Sequence, residues 1–121
     1  MKAPITFILG ATPNPERYSF MATALLVEKG HAVYPFGIKK GEIHATTIQN
    51  EWPANGSIDT VTLYLGPSAQ QSYYNAILDL KPRRIIFNPG TENPELNSLA
   101  TQKGIETIEA CTLVMLKTGQ Y

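Results

Sequence analysis

The chain has 121 residues, 43% of them hydrophobic, with ten Lys and Arg balanced by ten Asp and Glu. That length suits one domain with a real core and is too short for a catalytic domain beside a separate cofactor domain. Zero formal charge leaves no long-range field to draw the protein to nucleic acid or an anionic membrane, and one cysteine, Cys111, excludes an internal disulfide or a multi-cysteine metal site.

The opening "MKAPITFILGATP" lacks a full apolar signal core with a small-residue cleavage site, and no apolar run approaches membrane-spanning length. A soluble cytoplasmic domain spanning residues 1–121 is therefore expected. The run "ITFIL" (5–9) predicts a first strand, and "GATPNPERYS" (10–19) leads from it into an amphipathic helix over 20–29. Met21, Ala22, Leu25 and Leu26 share one side of that helix, Ser19 is placed to cap it, and Gly30 to end it.

The loop itself has the parts of an anion site. Gly10 lacks a Cβ and lets the chain turn sharply, Thr12 adds a hydroxyl, Arg17 a charge, and Ser19 lies where a helix exposes unpaired N–H groups. An ordinary connection stiffened by Pro13 and Pro15 explains the same residues equally well, since one glycine is a weak motif.

"HAVYPF" (31–36) predicts the second strand and ends in "GIKKGE". Folds that bind NAD place an acid at that strand end for the ribose diol. Here Gly37 is followed by Lys39 and Lys40, and the acid waits until Glu42, a pattern suited to an extra ribose phosphate. A solvated surface is the plainer account of two lysines. From 37 to 58 no strong period appears, and the β-branched "HATTIQ" (44–49) predicts a short edge strand.

"VTLYL" (61–65) predicts the next strand, Gly66 and Pro67 a small-residue wall, and 68–80 a helix burying Tyr73, Tyr74, Ile77, Leu78 and Leu80. "RIIFN" (84–88) runs into the turn "NPGTEN" (88–93), Asn88 and Pro89 leading to Gly90; there Gly90 permits a close backbone approach, and Asn88 and Thr91 offer hydrogen bonds. A helix then starts at Pro94 under an Asn93 cap and stops at Gly104. "GIETIEA" (104–110) completes the strands. The apolar "CTLVMLKTGQY" either packs back on the sheet or forms a subunit contact.

Near-continuous apolar strands alternating with helices predict an α/β, doubly wound, three-layer sandwich with a mainly parallel sheet of five or six strands. Ligands of such sheets sit beyond the carboxyl ends of the strands. His31 begins a strand and lies at the wrong rim, His44 has no spaced metal partner, and Cys111 beside an apolar run reads as a small buried side chain. No Ser-His-Asp order, carboxylate pair or Walker lysine loop is present, so no catalytic residue is assigned.

Taken in order, "GATPNPERYS", "GHAVYPFGIKKGEI", "VTLYLGP", "IIFNPGTENPEL" and "GIETIEACTL" resemble the stand-alone CoA-binding domain family, which is similar to the CoA-binding domain of the succinyl-CoA synthetase α subunit. The resemblance implies a Rossmann-like fold holding coenzyme A or an acyl-CoA, with the first loop around Gly10, Ala11, Thr12 and Ser19 near its phosphates and Lys39 and Lys40 near its nucleotide end. The phosphorylated-histidine half of the synthetase has no counterpart here, so ligase chemistry does not carry over. Binding without catalysis is the leading expectation. An NADP-dependent oxidoreductase and a homodimeric interaction module with a vestigial crevice are the alternatives.

Overall fold

The computed structural model describes residues 4–121; Met1, Lys2 and Ala3, part of the expected 1–121 domain, lie outside them. Five parallel strands form the sheet: β1 (Ile5–Leu9), β2 (Ala32–Phe36), β5 (Thr60–Leu63), β6 (Arg84–Phe87) and β7 (Glu106–Glu109). Their spatial order is β2-β1-β5-β6-β7. The chain thus runs outward from β1 to β2, then returns to the other side of β1, and its order reverses between β1 and β5. Loops diverge at such a point and leave a crevice.

Burial explains the strand sequences. β5 is buried at every position, and Phe7, Ile8, Leu9, Ile85, Ile86 and Phe87 are at most 1% exposed, because helices cover both faces. On one face Phe7, Leu9, Val61, Leu63, Ile85 and Phe87 pack with Ile77 of α3 (Tyr74–Asp79) and with Leu96 and Ala100 of α4 (Pro94–Gln102). On the other, Ile8 meets Leu26 of α1 (Tyr18–Glu28) and Leu116 of α5 (Thr112–Lys117). The edge strand β7 is mostly exposed and carries Glu106 and Glu109, charges that discourage pairing with another sheet edge.

Several local expectations are corrected. α1 is capped by Arg17, not Ser19, and its buried side is Ser19, Ala22, Thr23 and Leu26, so Met21 turns outward. This i, i+3, i+4, i+7 stripe is permitted because the buried Thr23 hydroxyl donates to Ser19 O at 2.7 Å. "HATTIQ" adds no sixth strand. β3 (Glu42–Ile43) and β4 (Thr46–Thr47) form an antiparallel hairpin, with His44 and Ala45 both at positive φ, and Ile43 and Ile48 pack toward α1. Gln49 alone makes one parallel bridge to Phe36.

The helix expected over 68–80 is three short pieces: α2 (Pro67–Gln70), a 3₁₀ turn (Gln71–Tyr73) and α3. The side chain of Gln70 is drawn inward at this break. α4 begins as the sequence implies, Asn93 accepting the Leu96 N–H at 3.1 Å with Pro94 in the first turn. α5 buries Leu113, Met115 and Leu116, so the "TLVML" segment packs back on the sheet.

Candidate functional site

A cleft of about 700 Å³ opens beyond β1 and β5, between the 10–19 loop and the Leu65–Gly66 and Pro89–Thr91 turns. That lies inside the size range of small-molecule sites. Beside it a smaller apolar pocket of about 180 Å³ lies among Ala11, Phe36, Gly37, Leu65 and Tyr73. Gly10, Thr12, Leu65 and Lys39 line both spaces, so the two adjoin and Lys39 stands on their shared border.

The first loop is built for tightness. Gly10 has φ 109°, and a Cβ there would stand 3.2 Å from both Leu65 Cδ2 and Tyr64 Cβ. Gly10 and Ala11 N–H both donate to Phe36 O, at 3.0 and 2.8 Å, tying the ends of β1 and β2 together. These two amides are therefore engaged within the protein. Asn14 next folds the loop into an Asx turn: its Oδ1 accepts the Glu16 N–H at 3.0 Å and its carbonyl the Arg17 N–H at 3.2 Å. The turn delivers α1 to the cleft with Tyr18, Ser19 and Phe20 ahead of the first helical bond, Met21 N–H to Arg17 O. Arg17, Tyr18 and Ser19 line the cleft there, together with Glu16.

The second loop is seated against the first. Gly37 is buried, and a Cβ on it would lie 2.2 Å from Ala11 O. A Cβ on Gly41 would lie 2.7 Å from Pro13 Cβ, so Pro13 is a packing residue beneath the lysine loop. Lys39 reaches both spaces, whereas Lys40 borders neither.

Two buried amides hold the opposite wall. Asn88, 2% exposed, donates to Thr62 Oγ1 (2.7 Å) and Leu63 O (2.8 Å) and accepts the Thr112 N–H (2.8 Å), so its side chain binds β5, β6 and α5 together. Gln70, fully buried, donates to Leu65 O and Thr91 O, both at 2.8 Å, and accepts from Asn93 Nδ2 at 2.9 Å. Leu65, Gly66, Pro89, Gly90 and Thr91 thus form one braced rim. Pro67 begins α2 behind it and borders neither space. The Gly90 N–H donates to Glu92 Oε1 at 2.9 Å.

Tyr64 backs the cleft with a buried hydroxyl that has no hydrogen-bond partner among the described residues. Burial pushes its pKa up to about 12, against opposing effects of the neighbouring Thr62 and Thr112 hydroxyls. Those two hydroxyls are bonded to one another at 2.9 Å. Cys111, half-buried at the N-cap of α5, borders neither space.

Of the residues singled out in the sequence, Gly10, Thr12, Arg17, Ser19, Lys39, Gly66, Pro89 and Gly90 converge on the main cleft, while Ala11 and Gly37 line the apolar pocket. Pro13, Lys40, Pro67 and Asn88 stand outside both. Asn14 and Tyr18 in the cleft, and Phe36 and Ile38 in the pocket, fall within the strand-end segments 10–19 and 36–40 that the sequence points to without being singled out, whereas Tyr64 in the cleft and Tyr73 in the pocket are missed. Tyr64 stands two residues before Gly66, at the carboxyl end of the "VTLYL" run, a signal within reach. Tyr73 reads as core because it is core, stacked on Trp52 with centroids 5.4 Å apart.

Fold and cleft together define a Rossmann-like α/β domain with a crevice at the switch point. Residues 5–117 match the CoA binding domain family, and the chain belongs to that family. It is also similar over 100% of both chains to a crystal structure of an uncharacterized protein, with 50% identity and a TM-score of 0.93. Cell-free ID.343 from Thermus thermophilus shares the fold at 21% identity and a TM-score of 0.84, covering 98% of this chain and 91% of that one. A hypothetical protein from Pyrococcus horikoshii OT3 does so at 23% identity and a TM-score of 0.81, covering 94% and 81%. A comparison with curated proteins finds no match. Family membership supports CoA binding in general and implies a small nucleotide ligand.

Proposed function

We propose that the domain binds CoA or an acyl-CoA in this cleft, without catalysis of its own. The observation that carries the reading is the position of Lys39, a cation on the border shared by a cleft of mixed polarity and an apolar pocket. A nucleotide with a flat base and a phosphorylated ribose has that polarity along its length. The base would lie against Phe36, Gly37 and Leu65, and the ribose 3′-phosphate would face Lys39, with Lys40 adding to the local potential. Arg17 and the first turn of α1 would take the pyrophosphate. The small-residue rim of Gly66, Pro89 and Gly90 would leave room for the pantetheine arm.

When bound, CoA supplies a thiol able to carry an acyl group. The chain's part is to hold and orient it. Among the groups lining the cleft, the Tyr64 hydroxyl has its pKa raised to about 12, away from the range useful for proton transfer near neutrality.

Calorimetric titration with CoA, dephospho-CoA and NADP tests the reading. One charge-assisted phosphate contact contributes roughly 1.5–3 kcal/mol, so CoA should bind about one to two decades more tightly than dephospho-CoA. The Lys39→Ala/Lys40→Ala double variant should weaken CoA more than dephospho-CoA. Equal affinity for these two ligands, or none for CoA, would overturn the proposal. Tight NADP binding with hydride transfer would replace it by the oxidoreductase.

A further inference from the structure

Between buried Gly37 and Gly41, which packs on Pro13, the lysine loop buries no large apolar side chain of its own. Ile38 is 90% exposed, and Lys39 and Lys40 are exposed as well, so apolar burial cannot set the loop's shape. Its order comes from the segment that follows the β3-β4 hairpin. Gln49 fixes that segment to the end of β2, its N–H donating to Pro35 O at 2.7 Å and its carbonyl accepting the Gly37 N–H at 3.1 Å. Asn50 therefore starts from a fixed backbone, and its Nδ2 donates to Gly37 O at 2.7 Å and to Lys39 O at 3.2 Å. One amide group spans both ends of the three-residue turn that presents Lys39. Farther along, Ile48 N–H donates to Gly41 O at 2.9 Å, closing the loop's other end.

We infer that Asn50 is a positioning residue for ligand recognition: it holds the backbone of Lys39 so that the ammonium stays at the shared border of cleft and pocket. The inference rests on the reading of the cleft as a site for a ribose-phosphorylated nucleotide. Asn50 touches neither space itself, so its effect must pass through Lys39. A flexible lysine held at its backbone loses less freedom when its ammonium meets a phosphate, and restricting a group in its bound conformation raises affinity mainly by lowering this ordering cost. The consequence is selective. Loss of Asn50 should affect a ligand with a ribose phosphate and spare one without it.

The experiment is a double-mutant cycle on the purified chain, titrating wild type, Asn50→Ala, Lys39→Ala and the double variant with CoA and with dephospho-CoA. Asn50→Ala should weaken CoA about tenfold, the scale of one lost hydrogen bond, and dephospho-CoA less than about twofold. In the Lys39→Ala background Asn50→Ala should change CoA binding less than about twofold, the non-additivity that marks action through a shared partner. A ligand-free readout accompanies it: trypsin should cut after Lys39 and Lys40 faster in Asn50→Ala than in wild type, with the global unfolding midpoint unchanged.

Equal weakening of both ligands, the same loss in both backgrounds, or unchanged tryptic cleavage would overturn the role of Asn50 while leaving the cleft's ligand in place. A wild-type chain that does not distinguish CoA from dephospho-CoA would overturn the reading of the cleft, and the inference with it.

Discussion

Gly37→Ala is the sharpest steric perturbation the cleft offers. The new Cβ would stand 2.2 Å from Ala11 O and 3.1 Å from Ala11 C, both backbone atoms that cannot swing aside as a side chain could. Restoring ordinary contact requires the two loops to part by roughly 1 Å. The Ala11 and Gly10 N–H bonds to Phe36 O lie directly in that seam. Overpacking costs about 1–3 kcal/mol, and each weakened hydrogen bond adds up to about 1 kcal/mol, so a loss of about 2–4 kcal/mol follows. For a domain of this size that lowers the melting temperature by roughly 10 °C. Thermal unfolding of Gly37→Ala should be measured beside Gly66→Ala, where nothing lies within 4 Å of the added Cβ and φ is −66°. The control should lie within about 1 kcal/mol of wild type, or above it. If the two variants melt together, the steric account of the seam is wrong.

Two further outcomes are expected. Tyr64→Phe removes a buried hydroxyl without a partner, so stability at neutral pH should be unchanged or rise by up to about 1 kcal/mol. Because the folded-state pKa, about 12, lies above the ordinary value of 10.0, this phenol leaves wild-type stability unaffected by pH below pH ~10 and lowers it as pH rises toward 12, where the unfolded chain ionises first, whereas urea denaturation of Tyr64→Phe should lack that part of the alkaline decline. Gln70→Leu strands the carbonyls of Leu65 and Thr91 and should cost about 2–4 kcal/mol in the same assay, with weaker CoA binding as the rim slackens. A loss below about 0.5 kcal/mol would show that Gln70 does not brace the rim.

The strand runs were legible because both faces of the sheet are covered, which makes β1, β5 and β6 read as continuous apolar stretches. Helix ends were legible where chemistry is local, as at Asn93 and Pro94. Ser19 misled because a serine ahead of an apolar stripe resembles a cap, while the Asx turn at Asn14 starts the helix earlier. Lys39 and the first loop were readable from strand-end position alone. Asn88 and Gln70 were not, because a buried amide and a ligand-binding amide are the same residue type, and only tertiary partners tell them apart. Asn50 was invisible for a related reason, since its partners are carbonyls placed by a hairpin that the 37–58 segment hardly announces.

The bond from Thr112 N–H to Asn88 Oδ1 also has a bearing on the order of folding. Every strand precedes α5 in the chain, yet the amide that braces the rim obtains its third partner only from α5, and Tyr121 Oη, later still, meets Thr6 of the first strand. During synthesis, most of the sheet's sequence emerges before either contact can form. A contact such as Thr6 with Tyr121, 115 residues apart, has high contact order. The brace that Asn88 supplies behind the rim is therefore complete only once α5 is in place.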